Sequence, residues 1–153
     1  MGKIFKTIQH FFQEEGWSML PVEDKTALGT KLSGENGQWT CLALAKEDED
    51  LFIFYSIYPL TVPLEKRTTV AEFLTRVNYG MLIGNFELDF EDGEVRYKTS
   101  INVREDRLSF VLAKHVIYTN IAMMDRYFPS LMQVIQGEDS PIEVVFTIEK
   151  DLC

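Results

Sequence analysis

The side chains best suited to nucleophilic, redox or metal chemistry are two cysteines and two histidines, and each is isolated in the sequence. Cys41 lies inside an apolar run and Cys153 is the last residue, so the pair forms neither a CxxC motif nor the framework of a small disulfide-rich protein. His10 and His115 have no patterned partner, whereas a zinc site takes four closely spaced ligands. We therefore predict structural thiols, no metal site and no cofactor.

Catalytic groupings are also missing from the sequence. Acid–base or covalent catalysis needs a nucleophile beside a base, or two carboxylates in one cleft. The serines are scattered, there is no GxSxG motif, and the glycines near residues 80–93 do not form a phosphate-binding loop. The acidic run 47–50 lacks the spacing and glycine of a calcium loop, so a solvated hairpin tip is favoured. The sequence predicts no catalytic residue and no enzyme.

Composition excludes further classes of function. The 153 residues include 24 acidic and 15 basic side chains, a formal net charge of −9, and 46% of them are hydrophobic. Such a chain lacks the clustered Lys and Arg that bind nucleic-acid phosphates. No window reaches the ~18 apolar residues of a membrane span, and the N-terminus has no signal-peptide hydrophobic stretch. We expect one cytoplasmic domain over residues 1–153 that binds neither nucleic acid nor membrane.

Two amphipathic helices are predicted in the first part of the chain. Residues 3–15 place apolar side chains at helical spacing, and Gly16 ends the pattern. Residues 68–83 contain a capping box in which Thr69 and Glu72 would bond reciprocally to the backbone. Both segments carry one apolar stripe, so each is expected to pack against a sheet.

A long helix is predicted in the last third of the chain. Its apolar stripe begins at Leu108, Pro129 is expected to kink it, and Gly137 closes it. A short final helix is then predicted from Pro141, which follows a capping serine. The β-branched residues in 144–147 leave a strand open for this last segment.

Strand patterns occupy residues 27–34, 38–46, 51–58 and the two arms of 85–103, with a weaker one at 17–22. The dipeptides Asn36-Gly37 and Asp92-Gly93 predict two tight hairpins. Two-residue loops would pair Leu32 with Cys41 and Leu88 with Tyr97. The second register would also set Glu87 opposite Lys98 and Asp89 opposite Arg96.

The segments 41–45 and 51–58 are apolar on both faces. Phe52 and Phe54 point one way, whereas Ile53, Tyr55 and Ile57 point the other. Helices on one side of an antiparallel sheet cover only one face, and monomers rarely expose large apolar patches. Either the chain's own helices, a second copy or another protein must cover the second face, and we favour a second copy.

Three stretches of the chain together resemble the YbjN-type bacterial domain: Ile83-Gly84-Asn85-Phe86-Glu87-Leu88-Asp89, Asp92-Gly93-Glu94-Val95-Arg96-Tyr97 and Asp125-Arg126-Tyr127-Phe128-Pro129. The resemblance implies an α+β fold similar to type III secretion chaperones, with an antiparallel β-sheet and helices packed on one face. Such chaperones are small, acidic and usually dimeric, and they hold extended client segments against apolar surface. YbjN-like domains are described as regulators of sensory transduction, and no catalytic residues are implied.

These observations predict a non-enzymatic regulator or chaperone-like adaptor, a homodimer that binds apolar segments of an unknown partner protein. The predicted binding or dimer surface comprises Phe52, Phe54 and Tyr58 on the sheet, with Met123, Met124 and Tyr127 on the long helix. The alternative is a small-molecule sensor with a pocket between the long helix and the sheet, near His115 and Tyr118.

Overall fold

The structure is a computed structural model that describes residues 2–22 and 26–150. Its helices and strands follow one another in this order: α1 Lys3–Glu15, β1 Leu20–Pro21, β2 Ala27–Ser33, β3 Gln38–Lys46, β4 Leu51–Ile57, α2 Arg67–Tyr79, β5 Asn85–Leu88, β6 Val95–Asn102, α3 Phe110–Gln136 and α4 Pro141–Lys150. The last segment is thus a helix, and its β-branched residues do not make a strand.

The six strands form one antiparallel sheet in the order β1-β2-β3-β4-β6-β5. Helices α1 and α3 pack on one face of this sheet, and α2 packs beside β5 with α4 against it. The predicted α+β class, with an antiparallel sheet and helices on one face, is confirmed. We call the face under α1 and α3 the inner face and the opposite one the outer face.

The inner face carries the hydrophobic core. On β4 the side chains of Phe52 and Phe54 are completely buried, and so are those of Phe11 on α1 and Ile117 on α3. Each strand contributes alternate residues to this face, because successive side chains point to opposite sides of a sheet. Burial of large aromatic and aliphatic groups is the main stabilising contribution in such a domain.

Asn120 anchors α3 to the middle of the sheet. Its buried Nδ2 donates to the Phe54 carbonyl at 2.8 Å, the Tyr97 carbonyl at 3.0 Å and Thr99 Oγ1 at 3.1 Å. These acceptors belong to β4 and β6, two neighbouring strands beneath α3. A buried amide with several partners fixes geometry more strictly than apolar packing alone, so Asn120 sets the position of the helix over the strands.

Helix α3 continues through Pro129, where the sequence predicted a kink. Proline lacks an N–H and leaves the carbonyl four residues earlier, that of Asp125, without its helical donor. Here Asn36 Nδ2 donates to that carbonyl at 3.0 Å, while the Asp125 carboxylate accepts from the N–H groups of Glu35 at 3.0 Å and Asn36 at 2.8 Å. The tip of the β2–β3 hairpin therefore supplies the bonds that the proline removes.

Both predicted hairpin registers are wrong by two residues. Leu32 pairs with Trp39 instead of Cys41, because Gly34 and Gly37 close a longer loop with a 2.8 Å backbone hydrogen bond. Leu88 pairs with Val95 instead of Tyr97, and Glu87 lies opposite Arg96. A shift of two residues keeps every side chain on its predicted face.

The six-residue loop between β5 and β6 has a local cause. The Asp89 carboxylate accepts from the Glu91 N–H at 2.8 Å, and the Asp92 carboxylate accepts from the Glu94 N–H at 2.9 Å. Gly93 takes a left-handed φ of 82°. Aspartate side chains stabilise turns by bonding to the backbone two residues on, and two of them in series lengthen the loop.

Two further predictions differ from the structure, one of a helix cap and one of a solvated acidic tip. Helix α2 begins at Arg67 and has no side-chain cap, so the Thr69–Glu72 capping box is wrong; Glu72 instead accepts from Arg76 Nε at 2.8 Å. Glu47, expected on a solvated tip, accepts from the Ile4 and Phe5 N–H groups at 3.2 and 2.9 Å. A carboxylate at a helix N-terminus satisfies unpaired N–H groups and complements the dipole, which explains this placement.

Candidate protein-binding surface

The structure buries five of the six residues that the sequence proposed as a binding surface. Phe52, Phe54 and Met124 are completely buried, and Tyr58 and Tyr127 nearly so. On one copy of the chain these side chains are packed in the core and do not form an accessible surface. A binding role for them stays a prediction, and their burial directs the search for a surface elsewhere.

The contacts of Tyr58 are structural. Its hydroxyl donates to the Phe128 carbonyl at 2.8 Å, and its ring centroid lies 4.7 Å from that of Phe128. Burial raises the pKa of the Tyr58 phenol. Tyr58 therefore ties the end of β4 to α3 next to the Pro129 turn.

Met123 is the one member of the set that remains partly exposed. It lines a groove of about 460 Å³ together with Met81, Leu82, Ile83 and Tyr127. The groove lies between the end of α2 and α3. Of the two methionines predicted to form a binding surface, only Met123 is accessible there.

The outer face of the sheet carries a second set of apolar side chains. Leu42 and Leu44 of β3 pair with Tyr55 and Ile53 of β4, and Ile57 continues the row. All five are partly buried, yet none belongs to the core or packs against it. They shield one another along two neighbouring strands, and none of the described helices covers them. We call these five side chains the outer apolar patch.

A charged cluster borders this patch on β5 and β6. Glu87 accepts from Arg96 Nε at 2.7 Å and from Lys98 Nζ at 2.8 Å, and the Arg96 guanidinium lies 4.3 Å from the centre of the Tyr55 ring. Partial burial raises the pKa of the Glu87 carboxyl, but the hydrogen bonds from Lys98 and Arg96 outweigh it and hold the pKa below its usual value. The two cations are thus fixed beside the aromatic edge of the patch.

The outer face carries more positive than negative charge, whereas the chain as a whole has a negative net charge. Strand positions on this face include four cationic residues and one acidic residue: Lys31, Lys46, Arg96 and Lys98, with Glu87. The whole chain has 15 basic and 24 acidic side chains. Lys46 also lies 3.5 Å from Glu49 at the rim. The outer face is therefore an apolar strip with a cationic border on an otherwise acidic protein.

A second exposed apolar area lies where α2 meets α4. Tyr79 and Leu82 are 95% and 98% exposed, Phe146 is 72% exposed, and Ile83 and Ile142 are also exposed. Two grooves of about 460 and 410 Å³ flank this area and share Glu149 in their linings. We call these five residues the α2–α4 patch.

The pocket expected near His115 and Tyr118 does not form. His115 is exposed, and the Tyr118 ring packs on Phe11 of α1 at 5.8 Å. The completely buried side chains of Ile117 and Met124 fill the space between α3 and the sheet. The structure therefore gives the small-molecule alternative no site at the predicted position.

Groups that could support other chemistry are sparse in the part of the chain that is described. Burial raises the pKa of the Cys41 thiol to about 12, which keeps it protonated and inert at neutral pH. Within residues 2–22 and 26–150, His, Cys, Asp and Glu do not cluster in threes to hold a metal ion. No helix in these ranges has the length and apolar character needed to cross a membrane.

The architecture places the chain in a known fold class, that of YbjN and the type III secretion chaperones. The crystal structure of YbjN from E. coli, described as "a putative transcription regulator", matches with a TM-score of 0.60 at 15% identity, over 86% of this chain and 88% of that one. The ExsC–ExsE complex matches with a TM-score of 0.52 at 12% identity, over 82% and 90%. The HopA1–SchA chaperone–effector complex matches with a TM-score of 0.50 at 16% identity, over 80% and 91%.

The chain belongs to the YbjN family, described as "Putative bacterial sensory transduction regulator", which matches residues 5–133. The predicted resemblance is confirmed. Comparison with curated protein sequences finds no significant match. Helix α4 lies beyond the matched residues, so two of the five residues of the α2–α4 patch, Ile142 and Phe146, lie outside the matched region.

Sequence reasoning identified both faces of β4 and chose the inner one. The sequence places Ile53, Tyr55 and Ile57 on the opposite face and identifies segment 41–45 as apolar on both faces, but it does not predict that Leu42 and Leu44 pair with Tyr55 and Ile53. The alternation in 38–46 is the signal that indicates which face is packed. The small residues Cys41, Ala43 and Ala45 lie on the same face of the sheet as Phe52 and Phe54. Small side chains facing large aromatic ones are typical of the packed side of a sheet.

Proposed function

We propose that this protein is a non-enzymatic protein-binding adaptor that holds an apolar segment of a partner protein on its outer apolar patch. The observation that carries this proposal is the patch itself, five apolar side chains on two central strands that lie outside the hydrophobic core. Soluble domains cover or use such faces, and exposed apolar surface rimmed by polar groups marks interaction sites. The likeness in fold to secretion chaperones is consistent with this role.

The patch also has the composition expected of a binding centre. Tyr55 presents a large ring whose position is fixed by Arg96, and four aliphatic side chains surround it. Aromatic residues in the middle of an apolar area contribute most to binding energy, while a charged rim orients the partner. The acidic character of the rest of the surface keeps the protein soluble while this face is open.

A face-specific capture experiment tests the proposal. Leu44→Asp combined with Ile53→Asp adds two carboxylates at a directly paired position of the patch and should abolish capture of the partner that wild type retains from cytosol of the source cell. Val111→Asp is the matched control, because Val111 is exposed on α3, away from the outer face. Capture is quantified protein by protein by mass spectrometry. Equal capture by wild type and the double variant would contradict the proposal.

We further propose that the protein is a homodimer that associates through the α2–α4 patch. The five side chains expose roughly 700 Å² together, taking about 200 Å² for each large residue. One partner's share of a standard interface is about 800 Å². Protruding side chains beside grooves allow a twofold arrangement in which each copy inserts into the other. The cationic border of the outer face disfavours pairing of two such faces.

A further inference from the structure

We propose that the occupant of the outer face is an amphipathic helix whose apolar stripe is flanked by acidic residues. This inference rests on the proposed protein-binding role of the same face. The inference specifies the secondary structure and the charge of the bound segment. The outer apolar patch alone specifies neither.

Hydrogen bonding on the outer face favours a helix over an extended segment. β3 is paired on both sides, with β2 and β4, and β4 is paired with β3 and β6. Their backbone groups are therefore used within the sheet. An extended segment laid across them would bury its own N–H and C=O groups without partners, at a cost of about 1–3 kcal/mol each. A helix satisfies these groups internally.

The edges of the sheet offer an extended segment little pairing. On β5, the Phe86 N–H donates to Asn78 Oδ1 at 2.8 Å, and Asn78 Nδ2 donates to the Phe86 carbonyl at 2.9 Å. This side-chain amide occupies the position that an added strand would take. The opposite edge is β1, which has two residues and includes Pro21, a residue without an N–H. Beyond β1, strand β2 continues through Thr30, whose Oγ1 lies 3.2 Å from Ser18 Oγ, to Lys31–Ser33, which remain at the edge.

The dimensions of the patch also suit a helix. Neighbouring strands lie about 4.8 Å apart, so the side chains of β3 and β4 form a strip that a helix of about 10 Å diameter covers. The flanking strands β2 and β6 then lie beneath the sides of the helix. A helix on this face would give the sheet a second helical layer, an arrangement common among α/β domains.

The cations of the outer face lie where the sides of such a helix would be. Lys31 is on β2, on one side of the patch, and Arg96 and Lys98 are on β6, on the other. Lys46 lies at the end of β3. Acidic residues flanking an apolar stripe would meet these cations, whereas basic residues would be repelled by them. Glu87, together with Glu49 beside Lys46 and Glu94 near Arg96, neutralises part of this charge, and the four cations still outnumber these three carboxylates.

Three synthetic peptides of about 18 residues test both parts of the inference. They share one leucine stripe; the first has glutamate flanks, the second lysine flanks, and the third is the glutamate peptide with two central prolines. Binding is measured by fluorescence anisotropy, helicity by circular dichroism, and location by amide chemical shifts of the wild-type protein. The glutamate peptide should bind about tenfold more tightly than the lysine peptide, gain helicity, weaken with salt and shift the outer-face amides.

Substitutions of the protein separate charge from apolar contact. Lys31→Gln with Lys98→Gln should reduce the preference for the glutamate peptide. Lys114→Glu, on the exposed surface of α3, also changes the net charge by −2 and is the control of matched charge. Equal binding of the lysine peptide, equal binding of the proline peptide, or shifts confined to Lys31–Ser33 would overturn the inference while leaving the adaptor proposal intact. If none of the peptides binds the outer face, the inference fails. The adaptor proposal fails separately if cytosolic capture is also unaffected by Leu44→Asp with Ile53→Asp.

Discussion

Glu87 shows how a single side chain organises the rim of the outer face. One carboxylate binds both Arg96 and Lys98, and Arg96 in turn covers the Tyr55 ring. The carboxylate remains partly accessible, so solvent weakens the attraction. Its main effect is to hold two cations and one aromatic ring in a fixed arrangement.

Glu87→Gln should lower the free energy of unfolding by roughly 1 kcal/mol at pH 7, because it removes the ionic partner of two cations. The folded protein holds the pKa of the Glu87 carboxyl below its unfolded value. Its stabilisation is therefore complete above the unfolded pKa and is lost as the pH falls through the lower folded pKa. The difference from wild type should disappear at low pH. Urea unfolding at a series of pH values measures it.

Glu72→Gln is the control for this prediction. Glu72 forms an exposed pair with Arg76 on α2, four residues apart, and such pairs contribute about 0.3–0.5 kcal/mol. A loss at Glu87 no greater than that at Glu72, or one that persists unchanged at low pH, would show that the shared carboxylate has no special role.

The environment of individual residues is predicted most reliably in strands, where alternate side chains point to opposite faces of the sheet. Phe52 and Phe54 were correctly placed on one face, with Ile53 and Tyr55 on the other. Which face the helices would cover could not be derived from β4 itself, since both faces are apolar. That choice depends on α1 and α3, whose packing side is set by contacts distant in sequence.

Among the elements, the β2–β3 hairpin and α3 depend on each other. Pro129 removes one helical donor, and Asn36 at the hairpin tip replaces it, while Asp125 binds two N–H groups of the tip. The connection joins segments that are about 90 residues apart in the chain. It explains why α3 needs no break at its proline.

Asp125→Ala should destabilise the protein by about 1 kcal/mol, because the Glu35 and Asn36 N–H groups lose a charged acceptor. Hydrogen exchange should accelerate at these two amides and not in the β5–β6 loop. Asp125→Asn retains one carbonyl oxygen and should have about half the effect. Unchanged protection of Glu35 and Asn36 in the alanine variant would contradict this account of the hairpin.

The periodicity of apolar residues predicts which segments form helices and strands. It does not predict which residues of the two strands pair in each hairpin. Asn-Gly and Asp-Gly are strong signals for tight turns, so the sequence predicts a two-residue loop at each of them. In the structure, Asp89 and Asp92 bind backbone N–H groups inside the second loop, and this competing turn chemistry adds residues. Since each register is shifted by two residues, an even number, the faces are predicted correctly even though the paired residues are not.

At the scale of the whole molecule, the chain presents two apolar areas with different surroundings. The outer apolar patch has a cationic border, whereas the α2–α4 patch is bordered by Arg76 and Glu149 together. The first suits a partner of opposite charge and the second a copy of the same chain. Sequence reasoning anticipated an uncovered apolar face, and it had no means to find a patch assembled from the α2–β5 loop and α4.

Leu82→Glu combined with Phe146→Glu should convert the proposed dimer to a monomer of 17.7 kDa, because the two carboxylates would meet their twofold copies in an apolar interface. Sedimentation or light scattering measures the mass. Both residues are largely exposed, so the melting temperature should change little. Phe90→Glu, at an exposed position in the β5–β6 loop, is the control and should remain dimeric. A wild-type monomer at high micromolar concentration would contradict the dimer.

The blocked edge at β5 limits how copies of this protein can assemble. Endless growth of a sheet into a fibre requires every copy to have two open edges, one to accept a neighbour and one to offer the next. The Asn78 side chain is bonded to the Phe86 N–H and carbonyl, so the β5 edge is blocked there. Pairing of two copies at the β1–β2 edge would then leave no free edge for a third copy. A protein with an apolar strip on its outer face therefore lacks the two open sheet edges that growth into a fibre requires.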